Sequence, residues 1–433
     1  MKPTGLLIAV GLLAVLGAGV WWSNRKQAAA KTDTATKILS IPADGVQEVR
    51  LKNPQQTIDL KRENGKWRMT QPEALPADSD VSTTLVSALS SLNADTVVEE
   101  KATDLGPYGL KTPTVEVQVV EKGGKTDNLL IGDETLKGDG NYVKLANDPR
   151  VFTIATYVKN NIDKAPNDLR DKRLLTFDSD KLTRVTLNPT GKPEIEFGKN
   201  AQNEWQILKP RPMRADGGTV DSLVSNLKDA RMDLTEDSAK AATAFNSGTK
   251  TAVASVTDAA GNQSIELRKS KDNYYAKSSA LAGIYKVSGD LGKNVDKSLN
   301  DFRNKKLFEF GFSDPSKVEL KGAAYVKSGD KWMSGAKTMD NTTIQNLIDK
   351  LRDLTATTFD EKGGGDTVFE AAVTSNMGKR VERVTISKQG NQYFAKREDE
   401  PSIYGLDSKA VEDLQKAAAD LKEAAPPAPA KKK

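Results

Sequence analysis

An eleven-residue segment occurs twice in this chain, and its repetition restricts the possible folds more than any other feature. The chain reads NDLRDKRLLTF at 167–177 and NDFRNKKLFEF at 300–310, with apolar residues at matching places around a basic cluster. At 433 residues the chain is also too long for one core, because single cores stop growing at about 250 to 300 residues. We therefore predict a duplicated structural unit, with the repeated segment at the exit of each copy.

Two further features recur at a similar spacing. A tryptophan follows a polar turn, and an Asp then opens an amphipathic run. These pairs are Trp67 and Asp78, Trp205 and Asp216, and Trp332 and Asp340. Seven and eleven residues after each Asp stands a leucine, as with Leu85 and Leu89. That spacing places the leucines on one helical face, and Asp is a good N-cap, so each run predicts a helix.

Alternating stretches lie between these helices. EVRL at 48–51, RVTL at 184–187 and KVEL at 317–320 alternate apolar and polar residues, which predicts strands with one buried face. The predicted fold class is α+β, with three related modules, each an antiparallel sheet with a packed helix, after one amino-terminal transmembrane helix. The predicted segments are an anchor and tether at 1–37, modules at 38–177, 178–310 and 311–424, and a disordered Pro/Ala/Lys tail at 425–433.

The predicted transmembrane helix is the uncharged run Gly5 to Trp22, which has basic residues on both sides. As a helix it would span about 27 Å, close to the hydrocarbon thickness of a bilayer. A cleavable signal peptide with its cleavage site at 28–30 is the alternative, although Arg25 and Lys26 separate that site from the apolar run. Both interpretations place the body outside the cytoplasm, and the predicted anchor holds it at the bacterial inner membrane as a single-pass protein.

Cysteine and histidine are both absent from the chain. Their absence removes disulfides, thiolate nucleophiles and the commonest zinc, copper and haem ligands. A phosphate-binding loop ending in GGKT at 123–126 fails, because its first glycine would fall at Val119. The sequence therefore predicts no catalytic residues, no metal and no cofactor.

The net charge of +5 resides at the two ends of the chain. Residues 1–40 carry +4 and residues 424–433 carry +3, which leaves the body at −2. A nucleic-acid-binding surface needs a basic body, so nucleic acid is not a predicted partner.

The basic cluster of the repeated segment is the candidate partner-binding site. Its members are Arg170, Lys172, Arg173, Arg303, Lys305 and Lys306. The functional interpretation is a site for an anion, a lipid headgroup or a protein partner. The alternative is that these residues are solvated or paired with neighbouring acids, as basic residues on connecting segments usually are.

LGPYGLKTP at 105–113, the repeated segments and the tryptophan-helix units together resemble a bacterial family known as domain of unknown function 4340. Members of that family are typically membrane-anchored, and some are encoded beside components that resemble the gliding-motility auxiliary ABC transport system. The resemblance implies an envelope role and supplies no catalytic residues. The third module departs from the pattern, because it has neither LGPYGL nor the repeated segment.

These observations predict a membrane-anchored, non-enzymatic scaffold or binding protein outside the cytoplasm. Its expected partner is a protein of an inner-membrane transport complex of the ABC type. The alternative is an envelope glycan hydrolase that uses paired carboxylates, since the chain has 59 acidic residues from which a pair could be drawn.

Overall fold

The computed structural model of the chain describes residues 36–312, 315–360 and 362–425. The chain divides between Lys172 and Arg173 into two compact units. The described residues form four antiparallel sheets, one of two strands and three that are larger. Strand accounts for 44% and helix for 24% of the structure. The predicted α+β class is therefore wrong, because the protein is mostly β-sheet.

The first unit contains the two-stranded sheet and the first large sheet, which we call sheet 1. Its strands are β1 (Lys37–Ser40), β2 (Val46–Lys52), β3 (Thr57–Glu63), β4 (Lys66–Gln71), β5 (Leu75–Pro76), β6 (Ser91–Asn93), β7 (Thr96–Glu99), β8 (Val115–Glu121), β9 (Thr126–Glu134), β10 (Gly140–Leu145) and β11 (Val151–Ala155). Its helices are α1 (Ser79–Ser90), α2 (Thr156–Ile162) and α3 (Pro166–Leu169). β1 pairs with β6, and sheet 1 has the order β5-β4-β3-β2-β8-β9-β10-β11-β7.

The second unit begins with sheet 2, which has eight strands. They are β12 (Arg184–Pro189), β13 (Ile195–Lys199), β14 (Trp205–Lys209), β15 (Met213–Arg214), β16 (Thr249–Asp258), β17 (Gly261–Ser270), β18 (Asn273–Ser278) and β19 (Ile284–Val287). The helices are α4 (Gly217–Lys228), α5 (Ser238–Ser247), α6 (Gly289–Val295) and α7 (Leu299–Phe302). The strand order is β15-β14-β13-β12-β16-β17-β18-β19.

Sheet 3 completes the second unit with nine strands. They are β20 (Lys317–Leu320), β21 (Ala323–Ser328), β22 (Lys331–Ser334), β23 (Lys337–Thr338), β24 (Ala356–Asp360), β25 (Asp366–Ser375), β26 (Arg380–Gln389), β27 (Gln392–Arg397) and β28 (Ile403–Leu406). The helices are α8 (Asn341–Asp353) and α9 (Ser408–Ala419). The strand order is β23-β22-β21-β20-β25-β26-β27-β28-β24.

Sheets 1, 2 and 3 share one strand order. In each, a central strand (β2, β12 or β20) has a meander on one side and a hairpin on the other (β8 and β9, β16 and β17, or β25 and β26). Sheets 1 and 3 end at a ninth strand, β7 or β24. At the corresponding edge of sheet 2, Asp233 makes a single β-bridge with Lys286 of β19.

The wrong fold class has a physical cause. An Asp-capped amphipathic helix gives a strong local signal, and the sequence analysis found all three such helices. The hairpins β16–β17 and β25–β26, with ten residues in each strand, are parts of the sheets to which the sequence analysis assigned no strand.

The helix predictions are confirmed in residue detail. Asp78, Asp216 and Asp340 are the N-caps of α1, α4 and α8, and each side chain accepts hydrogen bonds from backbone N–H groups of the first turn. One leucine from each helix is fully buried at the same place, and these are Leu85, Leu223 and Leu347. The helices therefore pack on their sheets in the predicted register.

The repeated segment consists of two halves that belong to different cores. Its first half closes one core with Leu169 or Phe302, which are buried. Its second half opens the next core with apolar residues that are also buried, namely Leu174, Leu175 and Phe177, or Leu307, Phe308 and Phe310. The division of the chain between Lys172 and Arg173 falls between the two halves.

The third module is closed at the corresponding place, although it lacks the repeated segment. The N–H of each N-cap Asp donates to a closing carbonyl. The three pairs are Asp78 with Leu169, Asp216 with Phe302, and Asp340 with Lys422. Backbone hydrogen bonds make this closure, so it does not require the NDLR sequence.

The predicted transmembrane segment, Gly5 to Trp22, lies outside the described residues, as do the rest of 1–35 and residues 426–433 of the predicted tail. Among the helices of the described ranges, none combines the length and the apolar character needed to cross a membrane.

Candidate functional site

The predicted basic residues at the first repeated segment follow α3. Arg170 is half-buried and forms a β-bridge with Ala77, and Lys172 is half-buried. Arg173 is exposed and forms a β-bridge with Arg231. The backbone of Arg170 therefore lies where the first core ends, and the backbone of Arg173 lies where the next core begins, independently of what their side chains bind.

At the second repeated segment, Arg303 differs from its two lysine neighbours. Its guanidinium is buried, stacks 3.7 Å from the ring centroid of Phe359 and donates to the Ser402 hydroxyl at 3.0 Å. Burial lowers the pKa of Arg303. Lys305 and Lys306 are exposed. The predicted basic cluster is thus divided, since Arg303 packs inside the second unit and the lysines face solvent.

A cleft lies between sheets 2 and 3 within the second unit and has a volume of about 640 Å³. One wall comes from β14, β15 and the start of α4, and the other from the start of β26 and the loop after β27. Six carboxylates and four basic side chains line it, for a net charge of −2. This cleft is the candidate functional site.

Arg214, at the end of β15, extends from sheet 2 toward sheet 3. Its Nε lies 3.4 Å from Glu400 Oε1, and its Nη2 donates to the Tyr404 hydroxyl at 3.2 Å and to the carbonyl of Lys306. Its Nη1 lies 3.6 Å from Glu309 Oε2, beyond hydrogen-bonding distance. The guanidinium thus joins the two sheets, and its Nη1 is ion-paired with Glu309 but makes no hydrogen bond.

Arg397 ends β27 and forms the buried centre of the sheet 3 wall. It donates to Glu382 Oε1 at 3.0 Å, to Asp399 Oδ2 at 2.8 Å and to the carbonyl of Leu307. Glu382 Oε2 accepts the N–H of Glu309 at 2.9 Å. Arg397 and Glu382 are 2% and 4% exposed, so this ion pair is shielded from solvent.

In sheet 2, neutral side chains bind the corresponding backbone carbonyl and N–H groups. Ser278, which ends β18, donates its hydroxyl to the carbonyl of Leu174. Gln263 Oε1 accepts the N–H of Thr176 at 2.8 Å. The fold of a module therefore needs a donor and an acceptor at these two places, and it does not need their charges.

The position of Glu400 also differs among the modules. Three residues beyond the end of the corresponding strand stand Asp148 after β10, Leu281 after β18 and Glu400 after β27. Asp148 is paired within its own loop, where Arg150 donates to its two oxygens at 2.9 and 2.6 Å. Only the third module directs a carboxylate from this loop toward an arginine of another sheet.

Arg380, at the start of β26, makes a second link between the two sheets. It donates to the carbonyl of Glu309 at 3.0 Å and pairs with Glu204 of the sheet 2 wall. Burial raises the pKa of Glu204, but the hydrogen bond from Asn200 and the contact with Arg380 outweigh it, so that pKa lies below its usual range. Glu204 is therefore held as a carboxylate.

The buried charges act on each other's protonation. Burial lowers the pKa of Arg214, and the charge of Arg397 lowers it further. Burial would raise the pKa of Asp399, but the hydrogen bonds and charge of Arg397 outweigh it, so the pKa of Asp399 lies below its usual range. Among the described residues, no acidic cluster has the geometry to hold a metal ion. The arrangement can bind and orient a polar group.

Sequence analysis missed every charged residue of this cleft. The two residues of its central contact, Arg214 and Glu400, are separated by 186 positions. One signal was present: Arg397 and Glu400 have Ser278 and Leu281 as counterparts in an otherwise similar strand and loop. A charge that one repeat carries and another lacks is a candidate for function.

The family profile described as Domain of unknown function (DUF4340) matches residues 67–207 and again 205–368. The chain belongs to this family. The two DUF4340 matches begin at Trp67 and Trp205, which are the predicted equivalent tryptophans, so each match starts inside one module and ends inside the next. No curated protein and no solved structure matches the chain.

Proposed function

We propose that this DUF4340 protein is a non-enzymatic binding protein that works outside the cytoplasm at the inner membrane, as an accessory to a transport complex of the ABC type. The observation that carries the binding role is the cleft between sheets 2 and 3. Its walls are charged, yet Arg397, Arg380 and Arg214 are engaged by carboxylates of the protein itself. Such a site offers fixed polar groups and a defined shape.

The state of two cleft carboxylates, Glu204 and Asp399, supports binding over glycan hydrolysis by those two groups. A glycosidase needs one carboxylic acid with a raised pKa that can protonate the leaving group. The pKa values of Glu204 and Asp399 are lowered, because Asn200 and Arg380 stabilise the carboxylate of Glu204 and Arg397 stabilises that of Asp399. Neither is suited to be the acid of the alternative mechanism.

The proposed location and partner derive from the sequence. The uncharged run Gly5 to Trp22 favours a membrane location. The DUF4340 family, some of whose members are encoded beside ABC-type components, favours a transport complex as the partner. Attachment near such a complex would raise the effective concentration of the body without any new contact.

The test is co-purification from membranes of the native host with identification of partners by mass spectrometry. We expect transporter subunits to be enriched with the wild-type chain. Recovery should fall severalfold for Arg170→Glu/Arg173→Glu, while circular dichroism shows an unchanged fold. The exposed pair Lys52 and Glu116 supplies the matched control, Lys52→Glu/Glu116→Lys, which should retain full recovery.

A second measurement separates binding from catalysis. Removing residues 1–35 should abolish function in cells while the soluble body, which keeps all of β1, still folds. Full function of that soluble body, or turnover of a glycan at an enzymatic rate, would refute the proposal.

A further inference from the structure

One end of sheet 1 carries two exposed apolar side chains. Leu136, in the turn between β9 and β10, is fully exposed, and Tyr157, in the first turn of α2, is 70% exposed. The two segments are adjacent, because the N–H of Thr156 donates to the carbonyl of Asp139 at 3.2 Å. Single exposed apolar residues are ordinary, but a neighbouring pair at one end of a sheet is a candidate contact surface.

The turn that carries Leu136 is longer than its counterparts. Residues 135–139 join β9 to β10, whereas two residues join the corresponding strands of the other modules. These are Lys271 and Asp272 in sheet 2, and Gly390 and Asn391 in sheet 3. Neither short turn contains a large apolar residue, so the fold does not require the leucine.

The place of Tyr157 is polar in the other two modules. Tyr157 is the second residue of α2, and the second residues of α6 and α9 are Asp290 and Lys409. Both of those side chains are exposed. The first module therefore has large apolar residues at two exposed places where the other modules have polar residues or glycine.

The chain enters the first unit at the same end of sheet 1. The carbonyl of Thr36, the first described residue, accepts the N–H of Ala94 at 2.8 Å. The next residue, Asp95, lines one groove together with Tyr157. Residues 23–35 separate this end from the predicted anchor. A fully extended chain of that length spans at most about 45 Å, so an inserted anchor keeps this end near the bilayer.

The size and charge of the surface favour a neutral bilayer as its partner. A stable protein interface buries about 800 Å² on each partner, which is far more than two side chains provide. A contact with a bilayer needs little affinity of its own, because the anchor raises its effective concentration. Asp133, Glu134 and Asp139 are exposed within three positions of Leu136, against the single lysine Lys137, so anionic headgroups would be repelled.

We propose that this end of sheet 1 lies on the bilayer surface, with Leu136 and Tyr157 at the level of the lipid headgroups. Tyrosine is enriched at that level, and an exposed leucine can enter the boundary between headgroups and acyl chains. The proposal rests on the proposed function, because it takes the run at 5–22 as an inserted anchor. It adds a second membrane contact, which determines the end of the first unit that faces the bilayer.

The experiment makes use of the absence of cysteine from the chain, since one introduced cysteine can then carry a fluorophore. Lys137→Cys places the label beside Leu136, and Lys122→Cys places it in the β8–β9 turn at the opposite end of sheet 1. The full chain is reconstituted in phosphatidylcholine vesicles that contain a spin-labelled lipid as quencher in both leaflets. We expect about threefold or more quenching at 137 relative to 122, because only the label at 137 lies at the interface.

Two double variants of the Lys137→Cys chain identify the cause of the quenching. Leu136→Asn/Tyr157→Asn keeps the net charge and should reduce quenching to that of the label at 122. Val326→Asn/Met377→Asn removes two exposed apolar side chains of the second unit and should leave quenching unchanged. Circular dichroism verifies that both variants are folded.

Flotation of the vesicles distinguishes failure of this contact from failure of the proposed function. If the chain floats with the vesicles but the label at 137 is quenched no more than the label at 122, the contact is overturned and the anchor stands. Equal quenching with and without Leu136 and Tyr157 also overturns the contact, because the label alone then accounts for it. If the chain does not float, the anchor and the contact are both refuted.

Discussion

At the scale of the residue, sheets 2 and 3 use different side chains to bind the same two backbone groups. A backbone carbonyl and an N–H near the start of each core in the second unit need partners. Sheet 2 supplies Ser278 and Gln263, and sheet 3 supplies Arg397 and Glu382. The Arg397–Glu382 pair extends into the cleft, because Arg397 also binds Asp399. The charges of Arg397 and Glu382 are therefore a feature of the cleft and are not required by the fold.

This interpretation can be tested by replacing Arg397 and Glu382 with the neutral residue types that sheet 2 uses at the same places. Arg397→Ser leaves Glu382 buried without its partner and should destabilise the second unit by about 3 to 5 kcal/mol. Glu382→Gln/Arg397→Ser should recover most of that loss, because sheet 2 is built with those residues. Urea denaturation measures both. The control Arg383→Ser breaks an exposed pair with Glu398 and should cost less than about 1 kcal/mol. Equal losses for the single and double variants would contradict the prediction.

The Asp148 pair makes the stability of the first unit depend on pH. The hydrogen bonds from Arg150 lower the pKa of Asp148, against the effect of burial. The unfolded chain therefore takes up a proton at this carboxyl before the folded chain does. The stabilisation is complete above the ordinary pKa of Asp and is lost as pH falls through the lowered folded-state pKa.

Asp148→Asn should remove this part of the acid sensitivity. We expect the variant to be less stable than the wild type at neutral pH and to lose less stability on acidification. Urea denaturation of residues 36–172 over the acid range measures the slope. A slope unchanged in Asp148→Asn would show that Arg150 does not control this titration.

At the scale of the element, the three capped helices are the most regular part of the molecule. Each begins with an Asp whose side chain accepts first-turn N–H groups. The backbone N–H of the same Asp donates to the closing segment of its module. One residue therefore fixes both the start of the helix and the end of the module, which explains why the Asp marks each module so clearly.

Removing one cap should have a modest and specific cost. Asp340→Ala should lower the free energy of unfolding by about 1 kcal/mol, while Asp340→Asn, which can still cap, should cost much less. The backbone N–H that closes the module is present in both variants, so the difference reports the side chain alone. Denaturant midpoints measure it. If Ala and Asn are equivalent at this position, the capping interpretation is wrong.

At the scale of the whole molecule, the first unit contains one module and the second unit contains two. The first unit has its own core, as do sheets 2 and 3. Sheets 2 and 3 are further joined by buried contacts of Arg214 and Arg303, which leave neither sheet complete alone. The chain therefore divides once, at Lys172 and Arg173.

Fragments should reveal this grouping. Residues 36–172 and 173–425 should each fold with cooperative thermal unfolding. A cut between residues 304 and 305 should give pieces that are less stable than 173–425, because Arg214 then loses Glu400 and Glu309. Circular dichroism melts compare the pieces. Should 173–304 melt as high as 173–425, the link between sheets 2 and 3 contributes nothing to stability.

The sequence by itself determined what depends on neighbours along the chain. The helix starts at Asp78, Asp216 and Asp340 and the strands that contain EVRL, RVTL and KVEL are confirmed, because capping and alternation act within a few residues. Membership of the DUF4340 family, which was predicted from LGPYGL and the repeated segments, is also confirmed. The buried ends of those segments, such as Leu174 and Leu307, are confirmed for the same reason.

The tertiary structure alone decided the rest. The mostly β class, the strand order and the closure at Lys422 depend on backbone hydrogen bonds between segments far apart in the chain, and such bonds leave little trace in side-chain identity. The cleft depends on how sheets 2 and 3 pack. Arg214 and Glu400 meet across 186 positions, and each alone has the composition of an ordinary surface residue. Local sequence sets the modules, whereas the site arises from packing between two of them.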